Sequence, residues 1–174
     1  MENYFLDEYI VVDLETTGLN PQNGDEIIEI GVTEIKGDDI KLNYSRLVKP
    51  NSIITTFISN LTNITNEMVE NEKKIEEILP KFREYIGDRT VIAHNAKFDV
   101  GFLNHYLSIM GLETIENYIC TVEMLKTTKN YNGKNKKLET ACNFYGIENS
   151  NAHRAYSDTH ATAKLFLKIR EDRL

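Results

Sequence analysis

The chain has 174 residues, of which 41% are hydrophobic and 27% charged, and its formal net charge is −7 at pH 7. These values are ordinary for one soluble domain, and no apolar run is long enough to span a membrane. The negative charge excludes a protein that coats nucleic acid through nonspecific phosphate contacts, but it is compatible with an enzyme whose acidic residues bind cations. We therefore expect a single domain over residues 1–174.

The N-terminus and the two cysteines favour a cytoplasmic protein. Residues 1–4 lack the apolar core of a secretory signal. Cys120 and Cys142 have no metal-like spacing, so we expect both to be reduced residues of the core. The sequence ends at Leu174, soon after the last predicted helix, which favours either a free-standing enzyme or an excised domain.

Hydrophobic periodicity predicts mainly strands in the first third of the chain and alternating helices and strands after it. The predicted strands cover residues 9–16, 25–35, 40–48, 90–93 and 118–121. The predicted helices cover residues 74–86, 96–110, 122–127, 137–145 and 155–170, and residues 50–72 are predicted to be mostly irregular with short helical turns. Short loops join the first three strands into an antiparallel meander. Together these elements predict an α/β fold with a five-stranded mixed sheet flanked by helices.

The first predicted strand carries two carboxylates at its end. Alternate side chains of a strand share a face, so Asp13 and Glu15 project to the same side. Two anions about 4 Å apart repel by roughly 4 kcal/mol at an effective dielectric near 20, and a hard divalent cation would offset that repulsion. The alternative is an ordinary solvated strand end. An EF-hand is excluded, because a strand precedes Asp13 and the twelfth loop position is Gly24.

Two more aspartates fall near the start of predicted helices. Asp99 lies in the first turn of the helix that follows the fourth strand, where it could also act as a helix-dipole residue. Asp158 shares the apolar face of the last helix with Ala161 and Leu165, a position that is costly for a carboxylate unless it is paired or bound to a metal. His153 precedes that helix and is placed to work beside Asp158.

Three stretches of the sequence form a recognisable set: residues 13–19 (Asp-Leu-Glu-Thr-Thr-Gly-Leu), residues 94–99 (His-Asn-Ala-Lys-Phe-Asp), and His153 with Asp158. Together they resemble the three exonuclease motifs of the DnaQ-like 3′–5′ exonucleases, in the DEDDh branch that has a histidine in the third motif. Residues 60–68 resemble the segment between the first two motifs, with Asn63 where glycine is more usual. The resemblance covers about residues 8–168. It includes the proofreading exonucleases of bacterial replicative polymerases, either as the separate epsilon subunit of DNA polymerase III or as the exonuclease domain built into Gram-positive polymerases.

The resemblance implies an RNase H-like fold, a two-metal mechanism and five functional residues: Asp13, Glu15, Asp99, His153 and Asp158. Asp13 would bridge both ions, Glu15 and Asp158 would complete the shell of the first, and Asp99 would hold the second through water. His153 would orient and deprotonate the attacking water, a role that suits a neutral imidazole at cellular pH. Two Mg²⁺ ions are the expected cofactors, and Mn²⁺ should substitute because both ions accept oxygen ligands.

By the same resemblance, five residues would bind the substrate: Thr16, Thr17, Gly18, Leu19 and Phe98. The first three would hold the terminal sugar and base. Leu19 would wedge against the terminal bases, and Phe98 would pack near the 3′ nucleotide. Ordinary core packing is the alternative for Leu19 and Phe98.

A basic loop stands out against the acidic background. From Lys126 to Lys137 the chain carries five lysines, no acidic residue and one aromatic residue, Tyr131. This loop either contacts substrate phosphates near the active site or is a solvated flexible loop. His94 either contacts the substrate or bonds to a loop backbone. Two other histidines are expected at the surface or in helix packing and receive no role: His105 and His160.

The leading function is a metal-dependent 3′–5′ exonuclease that releases nucleoside 5′-monophosphates from single-stranded or frayed DNA ends, in replication proofreading or repair. Its expected partners are DNA 3′ ends and a replicative DNA polymerase, and no membrane. An enzyme that trims RNA 3′ ends is an alternative, because the same motifs serve RNases and only tolerance of the 2′-hydroxyl separates the two substrates. A third possibility is a polymerase-associated docking subunit, although five intact functional residues argue against a catalytically dead module.

Overall fold

The computed structural model describes residues 8–173, so the expectations about residues 1–4 and Leu174 lie outside the described residues. Its five strands are β1 (Glu8–Thr16), β2 (Ile27–Lys36), β3 (Asp39–Leu47), β4 (Thr90–Ala93) and β5 (Tyr118–Cys120). They form one sheet in the order β3-β2-β1-β4-β5. The first three strands are antiparallel neighbours, whereas β4 pairs in parallel with both β1 and β5. The predicted mixed sheet is therefore confirmed.

Seven α-helices cover about half of the remaining chain between residues 8 and 173. They are α1 (Thr56–Thr62), α2 (Asn66–Val69), α3 (Ile75–Ile86), α4 (Ala96–Ile109), α5 (Thr121–Thr127), α6 (Leu138–Tyr145) and α7 (Ala155–Asp172). The two short helices α1 and α2 occupy about half of the segment predicted to be mostly irregular. Within the described range, no helix is both long enough and apolar enough to cross a membrane.

Alternation along β1 sends successive side chains into two separate cores. Val12 lies in the core that α3 and α4 cover, whereas Val11 lies in the core that α5, α6 and α7 cover. The odd-numbered side chains of β1 therefore face α7. Asp13 and Glu15 continue that row toward the carboxyl end of the strand, so the side of the sheet on which they lie follows directly from the alternation.

Two turns refine the sequence-based expectations. β2 begins at Ile27 and not at residue 25, because Asp25 takes part in the preceding turn, where its Oδ2 accepts the amide of Asn20 at 2.9 Å. Asn63 ends α1 in the left-handed conformation, with φ of 57°. Asparagine tolerates that conformation better than most residues, which explains how the turn forms where glycine is more usual.

Candidate active site

Three carboxylates converge at the carboxyl end of β1. β1 supplies Asp13 and Glu15, the first turn of α7 supplies Asp158, and one oxygen of each lies within 4.8 Å of the others. The alternation of β1 aims the first two toward α7, and α7 packs across β1 and β2. The structure thus brings together three of the five residues that the motifs single out.

Asp99 lies beside this cluster, in the first turn of α4. It is 3% exposed, and its Oδ1 accepts the backbone amide of Leu14 at 3.0 Å. β4 pairs with β1 only as far as Val11, so the amide of Leu14 lies beyond the end of β4 and bonds to Asp99 instead of to a strand. The charge of Asp99 also acts on Asp13. A residue that served only the helix dipole would need neither this burial nor this contact with β1.

Two hydrogen bonds orient Asp158. Asn149 donates its Nδ2–H to Oδ1 at 2.6 Å, and the backbone amide of His153 donates to Oδ2 at 2.9 Å. His153 itself is exposed and has a left-handed backbone with φ of 63°. The structure therefore places His153 next to Asp158, as the spacing of the third motif indicates, with its imidazole open to solvent.

The carboxylate cluster is short of positive charge. Burial, followed by the charges of Asp99 and Asp158, raises the pKa of Asp13 well above its usual range. Burial and then Asp158 raise the pKa of Glu15 to about 8, and burial raises the pKa of Asp99 to about 8. Burial also raises the pKa of Asp158, although the hydrogen bond from Asn149 opposes the shift. These four carboxyl groups lie close together and resist ionisation. Such a cluster fits the all-oxygen coordination shell of a hard divalent cation.

The raised pKa values predict that the metal-free protein loses stability as the pH rises. Above about pH 4 an unfolded chain releases carboxyl protons. The folded site retains protons on Glu15 and Asp99, whose pKa values are about 8. Because the folded state then binds more protons than the unfolded state, the free energy of unfolding falls from about pH 4 to about pH 8. Thermal melts in EDTA across this range should show a declining Tm.

Divalent cations should reverse this loss. An ion that binds only the folded site stabilises it by about 2.7 kcal/mol at a hundredfold excess over Kd. For a domain of this size, that corresponds to roughly 5–10 °C in Tm. The increment should be larger at high pH than at low pH, since protons compete for the same carboxylates. Identical melting curves in excess Mn²⁺ and in EDTA would contradict a metal site.

The first three predicted substrate-binding residues span the end of β1 and the turn after it, since Thr16 is the last residue of β1. The hydroxyl of Thr16 donates to the carbonyl of Gly18 at 2.6 Å, and the amide of Thr17 donates to the carbonyl of Glu26 at 2.8 Å. A Cβ on Gly18 would lie 2.2 Å from Oδ1 of Asp25, so glycine lets the turn fold against that carboxylate. The turn directly follows the strand that carries two of the clustered carboxylates, and its contact with a substrate stays a prediction.

Leu19 and Phe98 line one cleft of about 560 Å³, together with Lys97 and His105. Leu19 is 84% exposed, which rules out the core-packing alternative for this side chain. Phe98 is half-buried, and its ring packs on Phe102 with the centroids 5.0 Å apart, so it belongs partly to the core. An apolar side chain that is exposed to solvent at the wall of a cleft suits contact with nucleotide bases, and that contact stays a prediction.

His94 attaches the basic loop to the sheet. Its Nε2 donates to the carbonyl of Lys136 at 2.9 Å, and its Nδ1 accepts from the hydroxyl of Thr121 at 2.8 Å. Burial lowers the pKa of His94 to about 4, so the ring is neutral. These contacts favour the structural alternative for His94. On the other side of the loop, the ring of Tyr131 packs against Phe144, with centroids 5.0 Å apart.

Two residues near the carboxylates were missed by the sequence analysis. Glu29 is fully buried in β2, directly across from Glu15 in the strand register. The sequence did contain a signal for Glu29, because it is a lone carboxylate inside an apolar run. A buried charge is costly unless it is paired, so such a residue indicates a partner. Asn149 bonds Asp158, and its own Oδ1 is buried without a hydrogen-bond partner among the described residues. It lies in a loop that offered no such signal.

The mixed sheet, the flanking helices and the acidic residues at the end of its central strand define a class of protein. This is the RNase H-like fold of metal-dependent exonucleases of the DEDDh type. The sequence model of the RNase T family, described as Exonuclease, matches residues 10–166. The chain therefore belongs to this family of 3′–5′ exonucleases.

Several known proteins are similar to the chain. It is 40% identical over 175 residues to DNA polymerase III PolC-type of Clostridium perfringens (strain 13 / Type A), a match that covers 98% of this chain and 12% of that polymerase. Exonuclease X in complex with 5′ overhanging duplex DNA is 25% identical, with a TM-score of 0.75 over 94% of this chain and 91% of that one. The nuclease domain of 3′hExo, a DEDDh family member, bound to rAMP, is 19% identical, with a TM-score of 0.82 over 97% of this chain and 94% of that one. The last similarity concerns the fold alone.

Proposed function

We propose that residues 1–174 are a single exonuclease domain that removes nucleoside 5′-monophosphates from the 3′ ends of single-stranded or frayed DNA in the cytoplasm. The observation that carries this proposal is the convergence of Asp13, Glu15 and Asp158 within 4.8 Å. Asp99 lies close enough to act on Asp13 electrostatically, and the amide of His153 bonds Asp158. The family supplies the reaction, and these five residues supply the groups that it needs.

Two divalent cations would be held by the four carboxylates, with Mg²⁺ as the expected ion and Mn²⁺ as a substitute. Asp13 would contact both ions, and Glu15 and Asp158 would complete one shell. Asp99 has one oxygen engaged by the amide of Leu14 and would hold the second ion with its remaining oxygen through water. When bound, such ions supply positive charge that offsets the charge developing on the attacking and leaving oxygens.

Side chains of the protein carry out the remaining steps of the hydrolysis. His153 takes a proton from the water that attacks the terminal phosphodiester. A new P–O bond forms, the bond from phosphorus to the 3′ oxygen of the preceding nucleotide breaks, and that oxygen takes up a proton. The turn from Thr16 to Gly18 holds the terminal sugar and base, Leu19 separates the last bases, and Phe98 packs near the 3′ nucleotide.

DNA is proposed as the substrate because of the relatives. One is a DNA polymerase, and another is an exonuclease in complex with duplex DNA. The chain spans only about 12% of the length of that polymerase, so an editing role beside a replicative polymerase is part of the proposal. A pull-down with the replicative polymerase tests that part separately from the chemistry.

The decisive assay uses 5′-labelled single-stranded DNA and RNA of one sequence. Each is incubated with Mg²⁺, with EDTA, and with a variant that lacks the Asp13 carboxylate. We expect a ladder that shortens from the 3′ end of DNA and disappears in EDTA and in the variant. If only RNA is shortened, the substrate is RNA and not DNA. Degradation that persists in EDTA would contradict the proposed chemistry.

We also infer that the basic loop guides substrate phosphates toward the site. Among the described residues, the loop lysines after residue 126 have no ion-pair partner, whereas Lys126 pairs with Glu123 at 2.7 Å. The bond from His94 holds the backbone of Lys136 next to the motif that carries Asp99. Lysines without ion-pair partners, in a loop whose backbone is held next to this motif, favour the phosphate-contact alternative for the loop.

Removal of three loop lysines should weaken DNA binding and leave the chemical step intact. With Lys134, Lys136 and Lys137 all changed to alanine, KM for single-stranded DNA should rise, and the slope of log affinity against log salt should decrease by about 2, at roughly 0.7 per lost phosphate contact. A control that removes the same charge elsewhere changes Lys41, Lys81 and Lys168. Equal salt slopes for the two triple variants would mean that the loop is merely solvated.

A further inference from the structure

Glu29 is a buried carboxylate to which the proposed reaction gives no role. It is 0% exposed in β2 and accepts four hydrogen bonds. Ser45 Oγ donates at 2.7 Å, Arg154 donates from Nε at 3.1 Å and from Nη2 at 3.0 Å, and the backbone amide of Ala155 donates at 3.0 Å. Three of these four bonds come from the two residues that directly follow His153.

This bonding keeps Glu29 away from the metal site, although the residue lies directly across from Glu15. Two like charges facing each other across a strand pair destabilise the sheet. The guanidinium of Arg154 forms a two-point fork with Glu29, and it also acts on Glu15, whose pKa it lowers against the larger effect of burial. With its oxygens occupied by four donors, Glu29 is built as an anchor and not as a metal ligand.

The start of α7 rests directly on β2 at the same place. A Cβ on Gly31 would lie 2.3 Å from the carbonyl oxygen of Ala155, so glycine permits this close backbone approach. The backbone around His153 is therefore held on both sides. Its own amide bonds Asp158 at 2.9 Å, and the next two residues bond Glu29. Because these attachments hold the backbone of His153 in its left-handed conformation, they set the direction of its Cα–Cβ bond and so restrict where the imidazole can lie.

We propose that Glu29 and Arg154 are positioning residues that hold His153 where it can take the proton of the attacking water. They touch neither the substrate nor the metal in this role, and they act through the backbone from His153 to Ala155. The inference rests on the proposed function, because it assigns His153 the role of base. A misplacement of about 1 Å can cost up to a hundredfold in rate, so the expected effect is large.

The test compares two carboxylate-to-amide changes in the same strand. Glu29→Gln keeps the shape but leaves Arg154 without its charged partner. The matched control is Glu34→Gln, since Glu34 also lies in β2 and pairs with an arginine, Arg89, but away from the carboxylate cluster. Turnover of a 5′-labelled single-stranded DNA with Mn²⁺ gives kcat and KM, and thermal melts with and without Mn²⁺ report folding and metal binding.

Glu29→Gln should lower kcat by roughly 10–100-fold, as the loss of an outer partner of a catalytic group typically does. KM and the Tm increment caused by Mn²⁺ should match those of Glu34→Gln. Arg154→Lys should behave like Glu29→Gln, since it keeps the charge and loses the fork. Placed on a His153→Asn background, Glu29→Gln should lower the residual rate by no more than about twofold, because residues that act as one unit are not additive.

An equal loss of rate in the wild-type and His153→Asn backgrounds would overturn the inference, since Glu29 would then act independently of His153. Rates for Glu29→Gln and Arg154→Lys equal to that of Glu34→Gln would overturn it as well. If Glu29→Gln fails to fold, the same comparison is made with Arg154→Lys. A wild-type protein that degrades no DNA would overturn the proposed function first, and an active wild type with unaffected variants would overturn only the positioning role.

Discussion

Asp13→Asn should strongly reduce exonuclease activity and at the same time raise the melting temperature of the metal-free protein. Asp13 belongs to the carboxylate cluster, and the charges of Asp99, Asp158 and Glu15 all act on it. An amide of the same shape removes the charge on which the proposed metal binding depends. If that binding contributes about 4 kcal/mol of transition-state stabilisation, the rate falls by roughly 10³-fold at 1.36 kcal/mol per tenfold.

The stabilising half of the prediction follows from the same cluster. Burial and like charges raise the pKa of Asp13 well above its usual range, which means that the ionised form is disfavoured in the folded protein. Asparagine removes this repulsion, so in EDTA at neutral pH the variant should melt at a higher temperature than the wild type. In excess Mn²⁺ the order should reverse, because the variant has lost a ligand.

A surface aspartate provides the control. Asp39→Asn makes the same chemical change at an exposed position in β3, where the carboxylate pairs with Lys41. That variant should keep the wild-type rate and shift Tm little, since exposed ion pairs contribute about 0–1 kcal/mol. If Asp13→Asn instead melted below the wild type in EDTA, its inactivity could be ascribed to damage to the fold, and the proposed electrostatic cost of the cluster would be wrong.

Local periodicity was sufficient to predict the sheet and the shared direction of two carboxylates. The alternation of β1 places Asp13 and Glu15 on one face, and this holds whatever packs above them. The position of α7 over that face is a long-range fact that periodicity does not contain. The motif resemblance supplied it, since it linked Asp158 to the first strand across more than half of the chain.

The pairing of Glu29 with Arg154 could not be predicted either, because it is also a long-range contact. Glu29 and Arg154 are 125 residues apart in sequence, and nothing in either local segment specifies the other as its partner. Only the buried charge of Glu29 hinted at a pairing. Leu19 could not be decided from the sequence either, because an apolar residue is as compatible with core packing as with a wedge between bases. Its side chain is 84% exposed in the fold, which excludes the core.

The placement of the histidine leads to the second large prediction. His153→Ala should lower the rate of hydrolysis by about 10²–10⁴-fold, the usual contribution of a general base. Its backbone amide, which bonds Asp158 at 2.9 Å, survives the substitution, so the carboxylates should keep their arrangement. Metal binding should therefore persist, and the Tm increment caused by Mn²⁺ should stay close to that of the wild type.

A second variant separates the side chain from the backbone. His153 has φ of 63°, a conformation that is unfavourable for alanine and well tolerated by asparagine. His153→Asn thus keeps the left-handed turn but offers no base. Both variants should lose the rate under single-turnover conditions and retain DNA binding. Wild-type turnover in His153→Asn would show that the water is deprotonated without His153, and the catalytic role would then have to be sought among the carboxylates alone.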